Sequence, residues 1–425
     1  MELALDNCML LEGDKLVLKQ VVINSGKISE INEVGEQRQG VEFIYCNGNV
    51  LLPGLIDAHV HFRVPGGEHK EDWISGSKAA LAGGITTVVD MPNTSPSCTT
   101  QALLNEKKKI AERDGLCNSF FHFGASNNNA IELEQVHGII SFKIFLGSST
   151  GDLLVTDEEK LKKIFSTAKE RNMVVAVHAE DEEIIQKNIK KAKELGWNHA
   201  KYHSSIRDNE AEFKSIEKAL SLQSEIGNRL HVCHVSTKEG IELIRKAKQD
   251  EQAVTCEVTP HHLFLDESAT EELGNFAKMN PSLKSKRDVE ALWKGVRDGT
   301  ADLIATDHAP HTLAEKEKNY WEAPSGVPGC ETLLPLLLNA VNEGKIGLKH
   351  IIELCCENPA KLYGLKGKGF IKEGMDADLV LVDLKKEIII ENGNLFTKCN
   401  WSPFSGWSLK GVAEKVFVQG KEVGP

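Results

Sequence analysis

Several common signals are missing from this 425-residue chain, and each absence removes a class of protein. No apolar run approaches the roughly 18 residues of a membrane-spanning helix, so no membrane partner is expected. The opening residues, MELALDNCMLLEGDK, carry early acids and lack a basic stretch before a long apolar core, so no secretory signal is expected. The ten cysteines include no CxxC pair, and Cys355 and Cys356 are merely adjacent. They read as free thiols of a reducing compartment, which points to the cytoplasm. Basic residues are not in excess: 50 Lys and Arg stand against 62 Asp and Glu, a net charge of −12. That argues against nucleic acid or an anionic membrane as the main partner, while leaving room for a local basic pocket that holds a small anion. Gly-x-Gly-x-x-Gly and Gly-x-Ser-x-Gly are both absent, which removes a dinucleotide loop and a serine nucleophile elbow. No internal repeat or low-complexity linker is present.

What is there falls into three stretches. Residues 1–52 alternate as short strands around Cys8–Leu11, Lys19–Ile23, Lys27–Ile31 and Val41–Tyr45, parted by turn signals such as Ser25-Gly26 and Asn47-Gly48. From 53 to 364 the rhythm is strand then helix. Apolar, β-branched strands are expected at 55–58, 85–90, 119–123, 138–146, 173–178, 230–234, 253–258 and 301–306, with charged helices such as 157–171, 210–225, 238–249 and 285–298 between them. Eight such units predict an α/β fold, a (β/α)8 TIM barrel, over a doubly wound sheet. Residues 365–425 return to β texture, from 369–374 through 377–382 to 416–419. The two chain ends are expected to combine into a small β-sandwich beside the barrel.

Polar residues recur where the barrel strands end, which is where barrel enzymes carry their chemistry. The first strand runs into His59-Val60-His61, and alternate strand residues share a face, so two imidazoles point the same way. Neutral imidazole is the commonest zinc ligand, although two buried histidines bonded to carbonyls would look the same in sequence. Strand four adds Lys143, strand five His178, strand six His234 and strand eight Asp307. Each alone is more often structural; their recurrence at one end is the signal. Lys143 lies in an apolar strand where an ammonium is costly, so it must be paired, neutral or modified. Carbamylated by carbon dioxide, it would become an anion able to bridge two metals, with Asp152 as a rival bridge. His231 competes with His234, which lies nearer the strand end. His122, His261, His262 and His308 read as structural or supporting groups. Two divalent cations roughly 3.5–4 Å apart would share a water and bring its pKa towards neutrality, and Asp307 is the candidate general acid/base.

These residues stand in motifs that resemble the amidohydrolase superfamily and, within it, the dihydroorotases, over nearly the whole chain. The motifs are DAHVHFR (57–63), GGITTVVDMPNTSP (83–96), SFKIFL (141–146), VHAED (177–181), HVCHVST (231–237), CEVTPHHL (256–263), MNPSL (279–283) and ATDHAPHT (305–312), with GMDADLVLVD and NWSPFSGW in the returning β segment. The resemblance implies an enzyme with two Zn2+ per subunit that interconverts N-carbamoyl-L-aspartate and L-dihydroorotate in pyrimidine synthesis. It implies that His59, His61 and Asp307 bind the more buried metal, that carboxylated Lys143 bridges both, and that His178 and His234 hold the second. It further implies that Arg63, Asn93 and His311 grip the substrate carboxylate. Asn280 and the backbone around Pro328-Gly329 would then contact the ring. A homodimer is implied as well.

The chain departs from the family in one loop. Members that replace the lysine by aspartate carry an Asp-Asp-Gly doublet, whereas Ser149-Thr150-Gly151-Asp152 lacks it here and Lys143 is present. The segment 147–153, GSSTGDL, is expected to close over substrate. Two other readings compete. A dihydropyrimidinase, hydantoinase or allantoinase would act on rings without the carboxylate, leaving Arg63, Asn93 and His311 surplus. A non-catalytic scaffold relative would be expected to lose metal ligands, and all six are retained.

Overall fold

The computed structural model describes residues 2–36, 39–149 and 153–425, so Asp152 and the centre of the 147–153 loop lie outside the described residues. Both chain ends build one sheet. The N-terminal strands are β1 (Leu3–Glu12), β2 (Lys15–Asn24), β3 (Lys27–Asn32), β4 (Glu42–Tyr45) and β5 (Val50–Pro53). After these come the barrel strands β6 (Leu55–Val60), β7 (Ile85–Asp90), β8 (Asn118–Gly124) and β9 (Ser141–Phe145). The remaining barrel strands are β10 (Val174–His178), β11 (Arg229–Val232), β12 (Val254–Val258) and β13 (Leu303–Ile304). The chain ends in β14 (Leu379–Ile389), β15 (Ser408–Val418) and β16 (Lys421–Val423).

The end sheet runs β16-β15-β14-β5-β1-β2-β3, with β4 also paired to β1. Its chain-end halves meet where β5 pairs antiparallel with β14, Leu52 beside Val380. Leu5, Val21, Ile28, Leu51, Leu379 and Phe417 share one buried cluster, so strands from both termini enclose a common core. Residues 369–374, expected as β texture, instead form a turn before β14, because Gly369 and Gly374 both adopt positive φ.

The second sheet runs β6 to β13 in strict sequence order. Its neighbouring pairs are parallel, and every residue of β6, β7, β9 and β10 is buried, as expected of strands covered on both faces. Helices follow the strands where the charged stretches predict them, at Glu158–Glu170, Asn209–Ile226, Lys238–Gln249 and Lys286–Asp298. Their starts are set by side chains that accept otherwise unbonded backbone N–H groups: Asp157 from Lys160, Asp208 from Ala211 and Thr237 from Gly240.

The eighth strand is shorter than its sequence suggests. Only Leu303 and Ile304 hold strand geometry, because the backbone turns at Asp307 to a φ of 46°. The barrel closes through Asp57 instead. Its carboxylate accepts the Thr306 backbone N–H at 3.0 Å and the Thr306 hydroxyl at 2.5 Å, and Val60 bridges to His308. The first and last strands are thereby tied beside the residues that carry the chemistry.

Candidate active site

A narrow cleft opens at the C-terminal end of the barrel strands. Eight nominated residues line it: His59, His61, Arg63, Asn93, His178, His234, Asn280 and Asp307. Lys143 and His311 sit behind its wall, both buried. Three of the group, Arg63, His234 and Asp307, have positive φ values of 66°, 35° and 46°, a costly conformation for side chains of this size. Each lies where the chain turns sharply to aim a side chain inward.

The histidine tautomers follow from their neighbours. His61 Nδ1 lies 2.8 Å from Asn93 Oδ1, and His59 Nδ1 meets the Glu257 carboxylate. Both Nδ1 atoms are donors, so both Nε2 atoms are bare while the rings are neutral. They converge on one oxygen: Asp307 Oδ1 lies 3.2 Å from His59 Nε2 and 3.0 Å from His61 Nε2. Three electron-rich atoms so arranged need a positive charge among them. Without a cation, His59 has to supply it. Burial pushes its pKa down, but Glu257 and Asp307 override that and lift it to about 10. His61 goes the other way, to about 3, since burial outweighs the pull of the neighbouring Asp307 carboxylate. Asp307 stays well below the usual carboxylate range; burial raises it, and the His59 and His61 rings more than compensate.

The second half is built alike. His178 Nε2 lies 2.9 Å from Glu180, which Arg207 also grips through Nε at 3.0 Å. His178 Nδ1 lies 3.0 Å from His234 Nε2. His234 Nδ1 has no hydrogen-bond partner among the described residues, so in either tautomer this buried ring keeps one nitrogen unsatisfied. Lys143 reaches the same place from β9. Among the described residues its Nζ meets the Cys233 thiol, at 3.0 Å, and the Phe145 ring, 5.0 Å to the centroid. Neither neutral group matches a buried ammonium. The donor set of imidazoles, carboxylate and an unmatched amine thus fits divalent cations. His59, His234 and Asp307 offer ligand atoms within 4.8 Å of one another, as do His59, Cys233 and Glu257.

His231 does not join the cleft: it bonds Thr255 at 2.9 Å and Glu257 at 3.1 Å inside the barrel. His122 and His262 are held by the carbonyls of Ala58 and Pro281, and His308 by Glu71. His261 is buried with Nε2 unpartnered among the described residues.

The other end of the cleft is cationic. Arg63 is 7% exposed and has no carboxylate within ion-pair distance among the described residues; its Nε donates to Pro310 O at 3.3 Å. Lys70 Nζ donates to His311 Nδ1 at 3.2 Å, so His311 Nε2 carries the proton and donates to Ser325 O at 3.0 Å. The Arg63 guanidinium, 3.2 Å from that Nε2, packs against the ring without a hydrogen bond. His311 therefore backs Arg63 and does not face the cavity. Gly326 completes the wall with a φ of 142°, where a Cβ would meet the Ala309 carbonyl and the His311 ring. Pro328 and Gly329 lie off this cleft; the Gly329 N–H is taken up by His308 Nδ1 at 3.1 Å.

Glu257 and Glu180 are not among the residues the sequence pattern nominates, although both stand inside its motifs, CEVTPHHL and VHAED. The signals were available. Glu257 is a carboxylate in an apolar strand, the feature that singles out Lys143, and Glu180 follows His178 by two, as His61 follows His59.

Fold and site together define a metal-dependent hydrolase built on a (β/α)8 barrel. The chain belongs to the amidohydrolase family, whose model matches residues 50–423. Among curated relatives, the dihydroorotase of Halobacterium salinarum is 40% identical over 400 residues, 92% of each chain. That of Pyrococcus furiosus is 37% identical over 420 residues, 98% of this chain and 92% of its own. Among solved structures, the L-hydantoinase (dihydropyrimidinase) of Arthrobacter aurescens superposes with a TM-score of 0.96 at 31% identity, covering 99% of this chain and 96% of that one. The dihydropyrimidinase of Brevibacillus agri gives 0.93 at 28% identity, over 100% and 95%.

Proposed function

We propose that this chain is a dihydroorotase, a cyclic amide hydrolase that interconverts N-carbamoyl-L-aspartate and L-dihydroorotate, acting as a cytoplasmic homodimer. The observation that carries the choice of substrate is Arg63. A guanidinium buried at a cleft wall with no carboxylate partner among the described residues calls for an anionic ligand. Dihydroorotate brings a carboxylate; hydantoin and dihydrouracil do not. Asn93, already tied to His61, borders the same corner.

His59, His61 and Asp307 would hold one zinc ion and His178 and His234 the other, with Lys143, once carboxylated, between them. Such a pair, when bound, supplies an activated water and polarises the amide carbonyl. The chain does the rest. Arg63 anchors the substrate carboxylate and so fixes the ring relative to Asp307. Asp307, ionised throughout the physiological range, accepts the proton of the attacking water and returns it to the departing ureido nitrogen. Ring closure runs the same transfers in reverse. Glu257 keeps His59 in the tautomer that leaves a lone pair for the metal, and the Glu180 carboxylate lies beside His178 Nε2.

The deciding experiment is a matched assay of the zinc-loaded protein on dihydroorotate, carbamoyl-aspartate, dihydrouracil, hydantoin and allantoin. A preference for dihydroorotate, abolished by a chelator and restored by zinc, is expected. Turnover of the uncharged rings alone would move the protein to the hydantoinase reading and remove the role given to Arg63. Inactivity on all five would point to a scaffold.

A further inference from the structure

Asn280 lines the cleft, and a side-chain amide offers a ligand opposite things depending on which way it is turned. Here the turn is set by a neighbour. His203, in the short helix His203–Ile206, is 4% exposed, and its Nε2 lies 2.9 Å from the Met279 carbonyl and 3.0 Å from Asn280 Oδ1. A backbone carbonyl can only accept, so His203 Nε2 carries the proton. The Asn280 atom facing it must then be the oxygen. Nδ1, now an acceptor, takes the Tyr320 hydroxyl at 2.7 Å. Tyr320 is itself held, since Lys278 donates to its carbonyl at 2.7 Å and stacks on its ring at 4.4 Å. Burial, helped by Lys278 and Arg207, keeps the imidazole pKa down at about 3, so a second proton does not scramble the order.

We propose that His203 is a positioning residue that, with Tyr320, locks the Asn280 amide with its NH2 turned into the cleft, as a donor to a carbonyl oxygen of the substrate ring. The inference rests on the dihydroorotase reading for its substrate, but the chemistry asks only for a ring carbonyl. A free amide would spend part of its time presenting oxygen to oxygen. The locked one avoids that repulsion and the cost of ordering on binding.

The test is a double-mutant cycle on the zinc-loaded protein, with KM, kcat, zinc content and Tm measured for each variant. His203→Leu should raise KM for dihydroorotate by about three- to tenfold, the size of one neutral hydrogen bond, with kcat little changed and zinc retained. His203→Gln places an amide donor near the Nε2 position and should recover most of that loss. In an Asn280→Leu background, His203→Leu should add nothing further. Tyr320→Phe, which removes a single oxygen, should shift KM in the same direction and serves if His203→Leu does not fold. Additive effects in the cycle, glutamine no better than leucine, or an unchanged KM in Tyr320→Phe would each overturn the proposal. If wild-type protein ignores dihydroorotate, the function reading fails, and the same cycle on hydantoin, which presents ring carbonyls of the same kind, still decides the relay.

Discussion

At the scale of single residues, the site separates groups that bind from groups that react. Asp307 Oδ1 lies 3.2 Å from His59 Nε2 and 3.0 Å from His61 Nε2, and its own carboxylate is held ionised. Asp307→Asn keeps the shape and removes the base, so kcat should fall by roughly 10²–10⁴ in folded protein that still carries zinc. Near-normal turnover would take the acid/base role away from it. Arg63 touches a part of the substrate that does not react. Arg63→Met should therefore act mainly on KM for dihydroorotate, by about ten- to a hundredfold, while KM for hydantoin barely moves. Equal effects on both substrates would place the carboxylate elsewhere. Glu257 belongs to neither group; it was overlooked because a strand glutamate reads as one charge among many until its partners, His59 and His231, are seen around it.

At the scale of elements, buried polar pairs fasten strand ends beside the site. β7 ends at Asp90, which accepts the Phe62 N–H at 2.8 Å and pairs with fully buried Lys107 at 2.6 Å. Lys107→Met would leave that buried carboxylate without its counter-charge, at a cost of about 3–5 kcal/mol, visible as a lower Tm and denaturant midpoint. The helix Cys330–Asn342 carries the opposite sensitivity. Burial lifts the Glu331 carboxyl to about 7, despite the Phe396 N–H it accepts at 2.9 Å. Folded protein then binds a proton there that the unfolded chain has released. The stability it gives is complete below its ordinary value of 4.5 and is lost as pH rises through about 7. Glu331→Gln should accordingly raise Tm at pH 8 relative to wild type and make little difference at pH 4. A Tm gain of equal size at both pH values would show that charge is not the cause.

On the scale of the whole molecule, the returning C-terminal segment reaches the catalytic end of the barrel. Trp401 donates to the His311 carbonyl at 2.8 Å, and Thr397 and Lys398 bond Glu71, which holds His308 beside Asp307. Metal should be felt globally for the same reason: the converging lone pairs of five strands and loops are best balanced when cations are present. Removing zinc is expected to lower Tm as well as abolish hydrolysis, and adding it back to restore both, with the shift growing with zinc concentration. A Tm indifferent to zinc would mean that the cluster is not a metal site.

The sequence by itself determined the barrel and the polar ends of its strands, because strand and helix periods and the HxH spacing are local properties written in consecutive residues. It also carried the family resemblance, and hence the expectation of two metals, a modified lysine and an anionic substrate. Only the tertiary structure decided which histidines face one another. His231 and His234 differ by a turn of the backbone at φ 35°, a conformation that sequence pattern does not encode. It alone turned His311 behind Arg63, shortened the eighth strand to bring Asp307 round, and set Glu257, Glu180 and His203 behind the residues they orient. Those are contacts between segments distant in sequence. Their partners are chosen by packing and by the need of each buried polar atom for a mate, which no stretch of chain can settle alone.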